Sequence, residues 1–180
     1  LLPLELMKHL EIVAGNIEMS RVTHTLMQHL VTRGQQIKVF NQLSWHAHRR
    51  GTVLNDPPVP LSTDGYEGAV VIEPCRGFYT DPVATLDFAS LYPSIMLSHN
   101  LCYSTFVAEP RHIGIEGVQY ETHHASDTKK YTFVTSTPGI LPAILREILG
   151  ARKQAKRDMA NAPTDEMRAL YNARQLALKV

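Results

Sequence analysis

A proline-rich segment constrains the fold most, because a helical apolar pattern stops before it and a different pattern begins after it. Residues 55–60 read Asn-Asp-Pro-Pro-Val-Pro, and prolines at this density do not fit a helix interior or a central strand. We therefore predict a linker at residues 51–66. The 180 residues are enough for one ordinary domain or for two parts of a larger one.

Before the linker, apolar residues recur at helical spacing. They predict a helix over residues 1–31, interrupted near Gly15-Asn16 and ended by Gly34. A second, shorter amphipathic helix is expected over residues 35–48. The first stripe consists of Leu6, Leu10, Val13, Ile17, Val22, Leu26 and Leu30.

After the linker, short β-branched apolar runs at 69–72, 78–79 and 83–86 predict strands that are buried on at least one face. A helix is expected from Ser90 to His99, and residues 107–137 are polar and predict short strands and loops. Helical spacing returns from Gly139 to about Ala160, and a second helix is predicted from Thr164 to Val180. The expected fold class is therefore mixed, α/β (α+β).

Composition narrows the class of protein. A hydrophobic share of 44% and a charged share of 19% exclude a disordered or collagen-like chain. We find no apolar run of membrane-spanning length and no secretory leader, and two cysteines are too few for a disulfide framework and suit a reduced compartment. Since the chain opens at Leu1 and stops inside a helical pattern, we expect it to be an excerpt of a longer protein.

The segment 85–94 carries the most informative pattern. An apolar run ends on Asp87, and a helix is predicted to begin directly afterwards with Ser90 as its cap. A carboxylate held at a strand end can bind a metal ion, and the unpaired N–H groups of a first helical turn bind phosphates. Mg²⁺ is the ion that combines one or two carboxylates with substrate phosphates. From the residues alone, it is equally open that Asp87 only caps the helix.

The string Asp-Phe-Ala-Ser-Leu-Tyr-Pro-Ser-Ile-Met at 87–96 resembles the first palm motif of family B DNA polymerases. Further short sequence motifs occur in the order and at the spacing of that family, and they resemble more narrowly its eukaryotic delta branch. These motifs lie at Arg33–Val39, Tyr66–Ala69, His99–Thr105, Gly139–Pro142, Ala151–Lys153 and Arg174–Lys179. An ordered series of this kind is far more specific than one short match.

The resemblance implies a partial family B polymerase with four parts. Residues 1–50 would be the helical tail of the exonuclease region, and residues 51–66 would be the linker. Residues 67–137 would be the start of the palm sheet, with the polar excursion at 107–137. Residues 138–180 would be an incomplete fingers helical hairpin.

The resemblance also implies roles for the residues around Asp87. Asp87 would be catalytic and would bind both metal ions, with the carbonyl of Phe88 as an additional ligand. Ser90, Leu91 and Tyr92 would hold the triphosphate of the incoming nucleotide, and the Tyr92 ring would exclude a ribose 2′-hydroxyl. Without the resemblance, Tyr92 would be interpreted as a core aromatic residue.

The helices after Gly139 are basic. Arg152 and Lys156 are four residues apart on one helix face, where a guanidinium fork and an ammonium group can bind a polyphosphate. A solvated basic face is the alternative. The resemblance implies that Arg152, Lys156 and Lys179 reach the triphosphate, and it leaves Arg174 between packing support and ligand contact.

The implied function is that of a replicative DNA-directed DNA polymerase, which adds deoxynucleotides to a primer end by two-metal-ion phosphoryl transfer. The partners would be primer–template DNA, deoxynucleoside triphosphates, accessory polymerase subunits and a sliding clamp, with no membrane, and the compartment would be the nucleus. Two Mg²⁺ ions would be the cofactors of the phosphoryl transfer. Their second carboxylate ligand would belong to an Asp-Thr-Asp hairpin that lies outside this chain. Zinc and an iron–sulfur cluster would occur only in the missing C-terminal part, and the fragment alone should be inactive.

Other interpretations are weaker. An inactivated polymerase-like module that binds nucleic acid or acts as a scaffold is the main alternative, and a small-nucleotide hydrolase lacks a Walker-type loop. We expect no metal role for His46 and His48 or for His123 and His124, because Cys or carboxylate partners at ligand spacing are missing. Cys102 is expected to be a buried small hydrophobic residue.

Overall fold

The structure, a computed structural model, describes residues 1–54, 68–125 and 129–179. These residues form seven α-helices, one short 3-10 helix (Pro110–His112) and a two-stranded antiparallel sheet. The mixed fold class is therefore confirmed, whereas residues 55–66 of the predicted linker lie outside the described residues. The helices are α1 (Leu2–His9), α2 (Ile12–Thr23), α3 (Met27–Thr32), α4 (Gln36–Arg49), α5 (Leu91–Ser98), α6 (Ile140–Ala160) and α7 (Asp165–Ala177), and the strands are β1 (Tyr120–His124) and β2 (Lys130–Val134).

The N-terminal region contains three helices, so the prediction of one helix with a break at Gly15-Asn16 is wrong. The chain turns at Glu11 and His24, which both adopt left-handed backbone angles, with φ of 50° and 53°. At the second turn the hydroxyl of Ser20 donates to the carbonyl of Thr25 at 2.6 Å. Side chains of this type compete with the helical hydrogen bonds, whereas Gly15 is accommodated inside α2 at a cost of about 1 kcal/mol.

The predicted strands at 69–72, 78–79 and 83–86 are wrong for this chain: residues 68–89 contain no regular strand. Their apolar side chains face solvent, and Val71 is 84% and Leu86 94% exposed. A strand is stable only when a neighbouring strand pairs its N–H and C=O groups and another surface covers one face. Within the described residues, β1 and β2 pair with each other, Phe106 forms a bridge to Phe133, and neither strand pairs with residues 69–86.

The predicted excursion of short strands and loops at 107–137 is confirmed as the β1–β2 hairpin. Tyr120 pairs with Val134 and His124 pairs with Lys130, and Phe106 forms an additional bridge to Phe133.

The predicted helical hairpin is also confirmed. The hydroxyl of Thr164 caps α7 by accepting a hydrogen bond from the Met167 amide at 3.2 Å. Helices α6 and α7 pack against each other; α7 also packs on α2, and α6 packs on α4 and α5. This helical layer, α2 with α4, α6 and α7, is the packed part of the molecule. None of the helices within the described residues is both long and apolar enough to span a bilayer.

The core lies where α4, the turn after α5 and the start of α6 meet. It contains Leu43, Ala47, Cys102, Ile140 and Ile144, all at most 5% exposed. The prediction that Cys102 is a buried hydrophobic residue is confirmed, since its Sγ lies in this core and accepts from the Leu141 amide at 3.2 Å.

The side chain of Asn100 holds three parts of the chain together. Its Nδ2 donates to the carbonyls of Val134 and Thr137, both at 2.8 Å, and its Oδ1 accepts from the Gly139 amide at 2.8 Å. Asn100 has a left-handed φ of 51°, a conformation that asparagine tolerates better than most residues after a helix end. The end of α5, the end of β2 and the start of α6 are thereby fixed relative to each other.

Candidate active site

Asp87 lies in the extended segment just before α5. It is exposed, and among the described residues it forms no hydrogen bond or ion pair. The alternative in which Asp87 caps the helix is not observed, because Ser90 occupies the N-cap position. A free carboxylate beside a helix N-terminus is an arrangement that can accept a cation.

Ser90 adopts a left-handed conformation, with φ 53° and ψ 50°. For a residue with a Cβ atom this conformation is unfavourable and requires support from its surroundings. The Ser90 carbonyl accepts from the Ser94 amide at 2.9 Å, while its hydroxyl makes no capping bond. The hydroxyl and the first-turn N–H groups are therefore available to an anion.

Tyr92 projects from the first turn of α5 and is 73% exposed. The interpretation of Tyr92 as a core aromatic residue is therefore wrong in this chain. Leu91 is 43% and Phe88 76% exposed. The side chains of this segment thus form an accessible surface around Asp87 and Ser90.

Arg152 and Lys156 lie one turn apart on α6. Lys156 is exposed, whereas Arg152 is half-buried, and its Nε is shielded from solvent without a hydrogen-bond partner. A buried N–H without an acceptor costs about 1–3 kcal/mol, and a bound anion would supply that acceptor. Lys179 follows the end of α7 and is exposed.

These residues are on neighbouring elements, because α5 packs against α6 and α6 packs against α7. The structure brings Asp87, Phe88, Ser90, Leu91 and Tyr92 together at the start of α5. Arg152, Lys156 and Lys179 lie on the helical hairpin. Within the described residues none of these three cations pairs with Asp87.

Arg174 lines a separate open cleft of about 440 Å³ between α2, α4, α6 and α7. Trp45 in this cleft stacks on His24 with ring centroids 3.9 Å apart and lies beneath the Arg49 guanidinium. Burial lowers the pKa of His46, although the nearby Glu147 carboxylate opposes that shift. Burial and then the charge of Arg49 lower the pKa of His24.

Sequence reasoning missed two constellations. The Asn100 clamp could have been suspected from an asparagine directly after a predicted helix end. The expectation that His123 has no ligand partners is wrong, because Glu121 lies two residues earlier on the same strand face and His99 approaches both. Period-two alternation in β1 was the available signal for Glu121, whereas the approach of His99 depends on tertiary structure.

Comparison with known proteins gives consistent findings. The sequence model described as DNA polymerase family B matches residues 25–180. The chain is 46% identical to the DNA polymerase delta catalytic subunit of Caenorhabditis elegans and 44% identical to that of Drosophila melanogaster, with 99% of the chain covered in both cases. It spans 16% and 17% of the length of these two relatives.

A solved structure is similar as well. It is that of the family B DNA polymerase from the hyperthermophilic archaeon Pyrobaculum calidifontis. The similarity has a TM-score of 0.68 at 29% sequence identity and covers 98% of this chain and 22% of the other.

Proposed function

The chain belongs to DNA polymerase family B, and from this membership we propose that it is part of a DNA-directed DNA polymerase that extends a primer with deoxynucleotides. The observation that carries the proposal is the free, exposed Asp87 beside the left-handed Ser90 at the start of α5. We propose that residues 1–50 belong to the exonuclease region, residues 67–137 to the palm and residues 138–180 to the fingers.

Asp87 is the proposed metal ligand. Its carboxylate is accessible and unpaired, and the donor set of one carboxylate with the Phe88 carbonyl suits Mg²⁺, which is bound through few protein ligands and substrate phosphates. When bound, Mg²⁺ would stabilise the attacking and leaving oxygens of the phosphoryl transfer. The contribution of Asp87 itself is to supply negative charge just before the N-terminus of α5.

The nucleotide would lie against the start of α5. The N–H groups of Leu91 and Tyr92 and the Ser90 hydroxyl are proposed to bind triphosphate oxygens, which the dipole of α5 also favours. The exposed ring of Tyr92 would pack beneath the sugar and exclude a ribose 2′-hydroxyl.

The fingers hairpin supplies positive charge. Arg152, Lys156 and Lys179 are proposed to offset the charge of the leaving pyrophosphate and to orient it. The unpartnered Nε of Arg152 supports this assignment, because a phosphate oxygen would satisfy it.

The wider setting is proposed from the names of the relatives, which are delta catalytic subunits. It includes nuclear DNA replication, primer–template DNA, accessory subunits and a sliding clamp. Zinc and an iron–sulfur cluster in further segments belong to the same proposal.

The central test is primer extension by the full-length protein in Mg²⁺ with deoxynucleotides. Asp87→Ala should abolish nearly all extension and retain primer–template binding, since it removes the metal ligand and leaves the cationic surface. Asp81→Ala is the matched control, because Asp81 is an exposed aspartate of the same extended segment, and it should extend primers normally. Equal extension by the Asp87→Ala and unsubstituted proteins would refute the role of Asp87.

A second result separates the catalytic proposal from a scaffold function. A polypeptide of these 180 residues alone should not extend a primer, because the sequence contains no Asp-Thr-Asp string to supply the second carboxylate. A full-length protein that binds primer–template DNA without extending it would favour the inactivated, nucleic-acid-binding module.

A further inference from the structure

Three side chains converge where the end of α5 meets β1. His99 is the C-cap residue of α5, and Glu121 and His123 are alternate residues of β1 on one face of the hairpin. The Nδ1 of His99 lies 2.9 Å from the Oε1 of Glu121, and the Nε2 of His123 lies 3.8 Å from the same oxygen. One ligand atom from each residue falls within 4.8 Å of the other two.

We propose that His99, Glu121 and His123 bind a divalent transition-metal ion, with zinc as the best match. Zinc binds imidazole nitrogen and carboxylate oxygen at about 2.0–2.2 Å in a tetrahedron, so its ligand atoms are roughly 3.3–3.5 Å apart. The separations of 2.9 and 3.8 Å bracket that spacing. The two imidazole nitrogens lie within 4.8 Å of each other, so small side-chain rotations of the histidines together with Glu121 would complete the geometry.

The Nε2 atom of His123 gives independent support. It is shielded from solvent and has no hydrogen-bond partner, since 3.8 Å to Glu121 is too long for one. The ring is held between His99, edge-on at 4.8 Å between centroids, and Phe133 at 6.0 Å. A metal ion would satisfy a ring nitrogen that the described protein atoms leave without a partner.

The ligand chemistry separates this site from the one proposed at Asp87. Two imidazoles with one carboxylate favour zinc and neighbouring transition metals, whereas Mg²⁺ prefers oxygen ligands. All three residues are partly buried, so an ion can enter from solvent. Three protein ligands leave a fourth position for water or another ligand.

The ion would act as a clip. His99 ends the helix that begins after Ser90, and the other two ligands belong to the hairpin, so a bound metal would tie α5 to β1. Because metal binds only the folded arrangement, its occupancy would also stabilise that contact against unfolding.

The test is zinc stoichiometry and affinity of the full-length protein after chelator treatment and zinc readdition, measured by metal analysis and calorimetry. His123→Ala and Glu121→Gln should each lose one tightly bound equivalent relative to the unsubstituted protein. The loss in affinity should exceed the roughly 10- to 100-fold typical of removing an outer-shell partner. His124→Ala is the matched control, because His124 is the next residue of β1, is exposed and lies on the opposite face.

Because the zinc content of each variant is compared with that of the unsubstituted protein, zinc bound elsewhere in the protein contributes equally to both values and cancels in the difference. Glu121→Gln keeps the volume of the side chain and one acceptor oxygen while removing the negative charge, so it decides the matter if His123→Ala does not fold. The proposal is overturned if folded Glu121→Gln binds as many equivalents, as tightly, as the unsubstituted protein. It is also overturned if His124→Ala loses the same equivalent.

Discussion

The helical layer and the extended segment 68–90 contain similarly apolar residues and use them in opposite ways. In the layer, Ile144 of α6 is 3% exposed and packs with Leu43 of α4. In the segment, Leu86 is 94% exposed, and Asp87 beside it has no partner among the described residues. The first region stabilises the molecule, whereas the second presents chemical groups.

The difference follows from how helices and strands satisfy the hydrogen-bonding groups of their backbones. A helix forms its hydrogen bonds within itself, so one packing face is enough to stabilise it. A strand needs a neighbour to pair its N–H and C=O groups, and within the described residues the β1–β2 hairpin does not pair with this segment. We therefore expect substitutions in the layer to change folding and substitutions in the segment to change activity.

The largest effect on stability should come from Ile144→Ala. Truncating this buried side chain should lower the free energy of unfolding by about 2–5 kcal/mol, through lost burial and a cavity. The matched change Leu86→Ala in the extended segment should stay within about 0.5 kcal/mol, since the side chain is already in water. Urea denaturation of both variants in the 180-residue chain measures the contrast, and equal losses would break it.

Gly139→Ala should be the next most damaging change. An added Cβ would lie 2.8 Å from the Cys102 Cβ and 3.1 Å from the Pro142 ring, an overlap that costs about 1–3 kcal/mol. Gly150→Ala is the control, because nothing lies within 4 Å of its Cβ position inside α6. That variant should instead gain up to about 1 kcal/mol from higher helix propensity. Destabilisation by both variants would contradict the close approach at Gly139.

Removing the clamp with Asn100→Ala should cost about 1–3 kcal/mol, because the carbonyls and the amide that it satisfies lose their partner. Asn100→Gly separates two causes, since glycine accepts the left-handed backbone but also lacks the amide. Similar losses for both variants, by thermal denaturation, would assign the cost to the hydrogen bonds. Full stability of Asn100→Gly would assign the role of Asn100 to backbone conformation alone.

The smallest effect is a pH dependence in the helical layer. Burial lowers the pKa of His46 below its ordinary value of 6.5, so the unfolded chain takes up a proton first as the pH falls. The stability contributed by neutral His46 is complete above pH 6.5 and declines as the pH falls below that value. His46→Gln should flatten this part of the stability–pH curve, and an unchanged slope would show that His46 does not contribute.

Much of the helical layer was predictable from sequence, because buried residues of α4 and α6 recur at helical spacing, as Leu43 and Ala47 do in α4 and Ile140 and Ile144 do in α6. The break at His24 was not, since it depends on local side-chain hydrogen bonds such as that of Ser20, which periodicity does not report. The break at Glu11 was not predicted either, and there the Glu11 amide donates to the backbone carbonyl of Lys8. The candidate residues around Asp87 were recognised from a motif that local composition alone left ambiguous. The strands before Asp87 were predicted from a pattern that requires pairing partners.

The Asn100 clamp has a consequence for how this protein can vary. The side chain of Asn100 is hydrogen-bonded to residues 134, 137 and 139. The segment from residue 101 to residue 133 is therefore a long loop whose two ends are held together by these hydrogen bonds. The entropic cost of closing such a loop grows only slowly as the loop becomes longer. We therefore expect that insertions, deletions or a reporter tag in the middle of this loop leave the start of α6 in place.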